Sequence, residues 1–563
     1  MTSDKKSAAL LAGIFAAEGY KYIVVSPGSR NAPVINSFGH HPSLKPLQVV
    51  DERSAAFFAL GIAQQTGQTV ALSCTSGTAA LNYAPAIAEA FYQRIPLLII
   101  TSDRPAEMID QGDGQTIRQQ GVYANYILNS YHVADPSTSD EINQTARLLQ
   151  FAVRQTQFPQ RGPVHINLPF DEPIYGEAEF PPHYSIGSET REQEQCKFEF
   201  TDALKETWNK SRKVLVLAGM MPPGHPWVEA AEKLSHNRDV AILTETTAHP
   251  GNSHALTAID AMVDTITEAE AENFQPDLLI TFGGHLISKM VKRFLRRYPP
   301  SFHWHIDPMT PAVNMTGSLT SSVKAHPEDV LYALSQERRP DDGTYRLLWE
   351  ERSLRSLQRH NEFLKQAPWS DLKVFELLLQ RIPAGYHLQL GNSTPVRYVQ
   401  LFREGRQFNT WSNRGTSGID GTVSTAAGAA FASGKPTMLI TGDLAFLYDS
   451  NALMNHHLTG NLRMVVINNQ GGGIFRFIPG PDETGLLEPF FEVRHPWQLK
   501  HLAANFNIPY YHAASEEELD SVFGTFAEPR PGNRPALLEI STPAEISGKT
   551  IRNYFSYLKE RTA

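Results

Sequence analysis

Cysteine is nearly absent: Cys74 and Cys196 are the only two in 563 residues. That excludes a disulfide scaffold and fits a reducing compartment. No run of about 18 apolar residues occurs, so no membrane-spanning helix is expected. Positive charge is not in excess. Fifty Lys and Arg face 59 Asp and Glu, for a net charge of −9, and nothing in that balance suggests nucleic acid. There is no short-period repeat and no low-complexity tract. Residues 213–330 hold no G-x-G-x-x-G, which argues against FAD there. The first strand runs into Ser26-Pro27-Gly28-Ser29-Arg30 and not a dinucleotide turn, which argues against a nicotinamide dehydrogenase.

What the chain does hold is ample core, with 41% hydrophobic residues, and a length that suggests three to four domains. Lys5-Lys6 before AALLAGIFAA mimics a signal peptide. The stretch reads better as an amphipathic first helix closed by Glu18-Gly19, because cleavage would remove the helix of a strand–helix unit. The chain is therefore expected to be cytoplasmic.

Short β-branched runs alternate with helical stretches. In the first part these are KYIVVSPG (21–28), LQVVDE (47–52), TVALSCTSG (69–77), IPLLIITSD (95–103) and PVHINLP (163–169). Strands alternating with helices signal a parallel sheet covered on both faces. Residues 171–212, rich in Pro, Glu and Gln, read as a linker. KVLVLAG (213–219), VAILTET (240–246), DLLITFGG (277–284) and FHWHID (302–307) make a second, smaller unit. His303 and His305 alternate on its last strand. They read as an ordinary half-buried strand, since no further ligand sits nearby at metal-site spacing. Residues 326–382 are charged and helical, with a Pro-Asp-Asp-Gly turn at 340–343. The third unit carries YHLQLGN (386–392), FNTWSN (408–413), TMLITGD (437–443), RMVVINN (463–469), IPYYHAA (508–514) and ALLEIS (536–541). The expected fold is α/β, with three doubly wound parallel-sheet domains. The expected divisions are 1–180, a linker 181–212, 213–340, a helical connection 341–382, and 383–563. The first and third units match in layout, not in residues.

Ile440–Phe475 organises the rest. One apolar run ends in Gly442-Asp443. A stretch long enough for a short helix follows, and a second run ends in Asn468-Asn469 before three glycines. In a parallel sheet both strands end on the same edge, where open α/β sheets bind ligands. Asp443 and Asn469, 26 residues apart, then converge. Their oxygens, with a carbonyl from Gly471, suit Mg²⁺ completed by a diphosphate. Taken alone, a turn Asp and an Asn-Gly loop account for the same residues. Arg30, Arg104, Arg118, Arg397 and Arg414 also fall at strand ends or in loops, and arginine suits bidentate recognition of carboxylates. A substrate, or two, with several carboxylates is the reading.

SPGSRNAP (26–33), VVDERSAAFFALG (49–61), TSGTA (75–79), TSDRP (101–105), IRQQG (117–121), GNSTPVR (391–397), SNRGTSGIDGTVSTAAG (412–428) and NNQGGGIF (468–475) carry a family resemblance. With the GD…NN pair, the chain resembles the thiamine-diphosphate enzymes. Within them it resembles the MenD family, the 2-succinyl-5-enolpyruvyl-6-hydroxy-3-cyclohexene-1-carboxylate synthases. The match runs nearly end to end and is weakest at 176–275 and 310–370. The SNRG-SGIDG block is highly specific, whereas the GD…NN pair is specific only to the superfamily.

The resemblance implies decarboxylation of 2-oxoglutarate and addition of the succinic semialdehyde carbanion to isochorismate in menaquinone biosynthesis. It implies thiamine diphosphate held through Mg²⁺, with Mn²⁺ as a substitute, on Asp443, Asn469 and the Gly471 carbonyl. Gly391, Asn392, Ser417, Gly418, Ile419, Gly442, Leu444, Ala445 and Gly472 complete the cofactor pocket, with Ile419 as the wedge that keeps the cofactor bent. Glu52 hydrogen-bonds the aminopyrimidine and favours its imino tautomer. Ser393 and Arg397 go to the succinyl carboxylate. Arg30, Arg104, Gln115, Lys289 and Arg414 go to isochorismate, with Ser29 beside them, and Ile474 and Phe475 form an apolar wall. Glu52 and Asp443 would meet across a homodimer, two of which would make a tetramer. Ala445 stands where a serine often binds the diphosphate, which removes about 1 kcal/mol of net hydrogen bonding. Leu444, Gly114 and Met290 depart from common residues as well. Two rival readings are another thiamine-diphosphate 2-oxo-acid enzyme, such as an acetolactate synthase or a simple decarboxylase, and a dicarboxylate-binding regulator on a degenerate fold. The arginine set argues against the first, and joint retention of Glu52, Asp443 and Asn469 against the second.

Overall fold

The computed structural model describes residues 1–179, 198–309, 313–337, 343–476, 480–529, 532 and 534–560. Three parallel sheets follow one another along the chain. The first contains β1 (Tyr22–Val25), β2 (Lys45–Gln48), β3 (Val70–Cys74), β4 (Leu97–Asp103), β5 (Asn129–His132) and β6 (Val164–Pro169), in the order β2-β1-β3-β4-β6-β5. The second contains β7 (Val214–Ala218), β8 (Val240–Thr244), β9 (Leu278–Phe282), β10 (Phe302–Ile306) and β11 (Ser321–Val323), in the order β8-β7-β9-β10-β11. The third contains β12 (His387–Leu390), β13 (Asn409–Ser412), β14 (Thr437–Gly442), β15 (Leu462–Asn468), β16 (Tyr510–Ala513) and β17 (Ala536–Ser541), in the order β13-β12-β14-β15-β17-β16. The first and third sheets thus share one strand order, which is the layout likeness expected from the sequence. Apart from these sheets, Thr2–Ser3 pairs antiparallel with Glu177–Ala178.

The strands missed in the sequence are edge strands with little apolar signal: β5 reads Asn-Ser-Tyr-His and β11 Ser-Ser-Val. β2 begins two residues earlier than expected and stops at Gln48, because Tyr22 pairs with Lys45 and the chain then turns into a helix. That helix, Glu52–Thr66, starts where the Asp51 carboxylate accepts from the Ser54 N–H at 2.8 Å, and stops at Gly67 in the left-handed region. The stretch read as a linker includes a helix, Asp202–Lys210, and the Pro-Asp-Asp-Gly turn lies largely outside the described residues. His303 and His305 both lie within 2.9 Å of the Thr281 hydroxyl inside the second sheet. They are strand residues, and no group of three or more His, Cys, Asp or Glu able to hold a metal occurs among the described residues.

The first and third sheets are joined by one apolar core that includes Val24, Phe57, Phe58, Leu72, Val423, Ala427, Leu439 and Met464. Its centre is the crossing of helix Glu52–Thr66 with helix Thr422–Ser433. There Gly61 lies against the Thr425 carbonyl and Gly428 against the Phe58 carbonyl; a Cβ at either glycine would come within 2.1 Å of that oxygen. Among the described residues, no helix is long and apolar enough to cross a membrane.

Candidate functional site

In an order such as β13-β12-β14, the connections leave β12 and β14 on opposite sides, and a crevice opens at their C-terminal ends. β12 ends into Gly391-Asn392-Ser393, and β14 ends at Gly442, directly before Asp443. β15, the next strand, ends into Asn469. The expected convergence of Asp443 and Asn469 at one sheet edge is therefore observed.

Asp443 opens a short helix, Asp443–Tyr448, and is buried. One carboxylate oxygen accepts from the Leu444 N–H at 2.7 Å. The other accepts from the Gly471 N–H at 2.9 Å and lies 3.2 Å from Nε2 of the buried His495. The His495 ring stacks on Trp497 at 4.6 Å. Asn469 is also buried, and its Nδ2 donates to Asp371 Oδ2 at 3.0 Å. Its Oδ1 is buried with no hydrogen-bond partner. The Gly471 carbonyl accepts from the Gly473 N–H at 3.0 Å and keeps a second lone pair. One carboxylate, one unpartnered amide oxygen and one backbone carbonyl are hard donors that suit Mg²⁺ finished by phosphate oxygens and water.

Two arginines sit beside this edge. Arg414 is buried and donates to Asn392 Oδ1 at 3.1 Å. Arg397 donates to the Ser393 carbonyl. Burial pulls both guanidinium groups below the usual arginine range, and Arg414 adds to the effect on Arg397. Three carboxylates offset them: Asp260 near Arg397, and Glu245 and Glu89 near Arg414. Burial pushes the Glu245 carboxyl up to about 7 and that of Asp260 up to about 6. Glu245 accepts from the N–H groups of Ile287 and Ser288, and Ser288 Oγ donates to Asp260, so both carboxylates hold the start of helix Lys289–Arg297. That helix carries Lys289, which is exposed. One turn on it carries Lys292, half-buried and lowered by burial, with Arg414 and Lys289 among its charged neighbours.

Of the remaining residues named from the sequence, Ser29, Arg30, Glu52, Arg104, Gln115 and Arg118 lie in the first unit, and Ser417, Gly418, Ile419, Ile474 and Phe475 lie in the third. Arg30 is buried, donates to the Phe170 carbonyl at 2.8 Å and pairs with Glu172 at 3.0 Å. Arg104 donates to the Gly114 carbonyl at 3.3 Å, and its Nε is buried without a partner. Ser29 and Gln115 are exposed, Gln115 at a φ of 57°. Arg118 points to solvent, paired with exposed Asp110 at 2.8 Å, and does not join the others. Glu52 sits in the first turn of its helix, and burial raises its carboxyl above the ordinary value. Next to it, Arg53 donates to the Tyr448 carbonyl at 2.6 Å, and Asn451 donates to Asp51 at 2.8 Å. These bonds tie the start of the Glu52 helix to the end of the Asp443 helix. Ile419 is exposed, with Ser417 at a φ of 66° and Gly418 beside it. Ile474 and Phe475 are half-buried, and Phe475 packs on Phe491 at 5.7 Å.

Sequence reasoning missed Glu89, Glu245, Asp260, Lys292, Asp371 and His495. Glu245 carried a usable signal, since it follows an apolar run in Thr-Glu-Thr at a strand end. Glu89 and Asp371 lie in helices, where nothing in the pattern separates them from surface acids.

The geometry is that of a ligand crevice at the switch point of a doubly wound sheet, and the comparisons name the class. Residues 5–122 match the family model "Thiamine pyrophosphate enzyme, N-terminal TPP binding domain", and residues 188–388 match "Middle domain of thiamine pyrophosphate". This is a thiamine-diphosphate enzyme fold. Within that class the chain belongs to the 2-succinyl-5-enolpyruvyl-6-hydroxy-3-cyclohexene-1-carboxylate synthase family. It is 39% identical over 545 residues to the synthase of that name from Flavobacterium psychrophilum, covering 96% of each chain. It is 40% identical over 571 residues to the synthase from Porphyromonas gingivalis, covering 99% of this chain and 98% of that one. A third, from Bacteroides fragilis, is 35% identical over 568 residues, covering 99% and 100%.

Proposed function

We propose that this chain uses thiamine diphosphate to decarboxylate 2-oxoglutarate and joins the four-carbon succinic semialdehyde unit to isochorismate. The product is 2-succinyl-5-enolpyruvyl-6-hydroxy-3-cyclohexene-1-carboxylate, in menaquinone biosynthesis. The observation that carries the reading is the meeting, at one sheet edge, of a metal-ready oxygen set with two desolvated arginines. The first part of that pair suits a diphosphate and the second suits acidic substrates. The relatives' name gives the product acid, and 2-oxoglutarate and isochorismate are the acids whose union, with loss of CO₂, yields it.

In this reading residues 1–180 bind the aminopyrimidine and residues 383–563 bind the diphosphate. Residues 213–340 form the central domain, with 181–212 and 341–382 as connections. Asp443, Asn469 and the Gly471 carbonyl hold Mg²⁺, or Mn²⁺ in its place, and through it the diphosphate. Gly391, Asn392, Ser417, Gly418, Gly442, Leu444, Ala445 and Gly472 shape the pocket, and Ile419 presents an apolar surface to the cofactor. When bound, thiamine diphosphate supplies a carbon nucleophile and takes up the electron pair freed by loss of CO₂. Glu52 holds a proton against the aminopyrimidine ring, a role helped by a carboxyl whose burial favours the neutral form. Ser393 and Arg397 orient the succinyl carboxylate. Arg414, Lys289, Arg30, Arg104, Gln115 and Ser29 receive the carboxylates of isochorismate, and Ile474 and Phe475 keep water away.

The active unit in this reading is a homodimer in which Glu52 of one protomer faces Asp443 of the other; a tetramer is built from two such pairs. Exposed Val50 and Tyr448, each close in sequence to a proposed site residue, supply apolar surface for that contact.

The test is direct. Purified protein is mixed with thiamine diphosphate, Mg²⁺ and 2-oxoglutarate, with and without isochorismate, and product masses are followed. Isochorismate should disappear into a product heavier by one succinic semialdehyde unit, and Glu52→Gln should abolish this. Decarboxylation with isochorismate untouched would reject the acceptor and keep the cofactor.

A further inference from the structure

An asparagine amide presents either its oxygen or its nitrogen in nearly the same shape, and only its partners decide which end points where. For Asn469 the deciding partner is Asp371. The group 3.0 Å from Asp371 Oδ2 is the Asn469 amide nitrogen, which donates to it as the Thr542 and Ser547 hydroxyls donate to the other Asp371 oxygen. The amide oxygen is then turned the other way, where it is buried and unpartnered.

Asp371 is itself held firmly. It is the first residue of helix Asp371–Arg381 and is 2% exposed. Its other oxygen accepts from the Thr542 hydroxyl at 2.6 Å and the Ser547 hydroxyl at 3.0 Å, and its N–H donates to Ser547 Oγ at 3.0 Å. Thr542 is fixed in turn by donating its N–H to the Asn468 carbonyl at 3.1 Å. A carboxylate buried without a cationic partner is costly, and a neutral side chain of the same shape would anchor the helix to Thr542 and Ser547 as well. What only the carboxylate does is dictate the amide's direction.

We infer that Asp371 is a positioning residue for the divalent cation: it locks the Asn469 amide so that oxygen, not nitrogen, faces the metal. The inference rests on the proposed metal site at Asp443 and Asn469. The lone pair of an amide nitrogen is delocalised into its carbonyl and is not offered to Mg²⁺, so a flipped amide removes one ligand without moving any atom far. Outer partners that fix a ligand's orientation commonly change metal affinity 10–100-fold.

The experiment is a Mn²⁺ titration of the full-length protein in the presence of thiamine diphosphate, with free Mn²⁺ read by electron paramagnetic resonance. Asp371→Asn keeps the shape and the acceptor for Thr542 and Ser547, but offers an NH₂ that favours the flipped Asn469. Its Mn²⁺ dissociation constant should rise at least about tenfold. Thr542→Val removes one bond to the other Asp371 oxygen, leaves the Oδ2 that the amide meets in place, and should stay within about threefold of the unaltered protein, well short of that rise. Equal losses in both variants, or no loss in Asp371→Asn, would overturn the inference. Should Asp371→Asn not fold, anomalous scattering from crystals of the unaltered protein with Mn²⁺ and thiamine diphosphate decides. A Mn²⁺ peak about 2.1 Å from Asn469 Oδ1, with Nδ2 on Asp371, supports it. A peak beside Asp443 but away from Asn469 Oδ1 overturns it and leaves the metal site standing. A peak remote from both residues overturns the metal site and the inference together.

Discussion

The carboxylate of Glu89, in a helix of the first unit, accepts from the Gly415 N–H at 2.7 Å, in a loop of the third unit 326 residues away. It also accepts from the Thr416 N–H and hydroxyl, each at 2.7 Å. Glu89 is 1% exposed, and a Cβ at Gly415 would come within 2.6 Å of its carbonyl oxygen. The loop that carries Arg414 is thus seated on a buried acid. Glu89→Ala leaves two backbone donors without acceptors, at about 1–3 kcal/mol each. The expected result is lower resistance to urea and a raised KM for the acidic substrates. An unchanged KM would separate the loop's seating from Arg414's position.

Gly61 and Gly428 set how closely the Glu52–Thr66 and Thr422–Ser433 helices approach. A methyl group at either would meet a backbone carbonyl, which cannot rotate away as a side chain does. Gly428→Ala should therefore cost about 1–3 kcal/mol through forced separation of the helices, although alanine is the better helix former. Gly434→Ala lies at a helix end in open space at a φ of 62° and should cost less. Thermal unfolding of the two variants side by side checks the order.

Much of this architecture was legible. The long runs Leu97–Asp103, Thr437–Gly442 and Leu462–Asn468 are apolar because both of their faces are covered, and such runs announce themselves. Edge strands such as Asn129–His132 pair on one side only and carry polar residues, so nothing marked them. The convergence of Asp443 and Asn469 followed from strand ends alone. The acids that hold the site did not, because Glu89, Glu245 and Asp371 act on partners 326, 42 and 98 residues away, respectively. Contacts across such separations are set by tertiary packing: a strand-end position marked Glu245, but no local pattern recorded its partners or those of the other two.

Arg414 lies among acids that need it. Burial keeps Glu245 and Glu89 away from water, and the Arg414 charge offsets theirs. Arg414→Met removes a nearby cation from these carboxylates and the bond to Asn392 Oδ1, and should cost about 1–3 kcal/mol. Adding Glu245→Gln to that variant should restore part of the loss at pH 8, where Glu245 is ionised. Additive losses in the double variant would show that the two side chains do not interact.

Asp449 is fully buried at the start of helix Thr422–Ser433. It accepts from the Ser424 N–H at 2.7 Å and the Ser424 hydroxyl at 2.9 Å, with Arg53 as its charged neighbour. Burial outweighs these contacts and pushes its carboxyl from 3.8 up to about 7. A carboxyl raised on folding favours the folded protein while it is protonated. Its contribution is full below about pH 3.8 and is lost as pH rises through about 7. At 1.36 kcal/mol per unit the difference is on the order of 4 kcal/mol. Asp449→Asn keeps an acceptor for Ser424 and cannot ionise. The variant should match the unaltered protein below about pH 4, exceed its stability increasingly up to about pH 7, and keep a constant margin above that. Denaturant unfolding across that range checks this, and parallel curves for the two proteins would show that Asp449 ionises without cost.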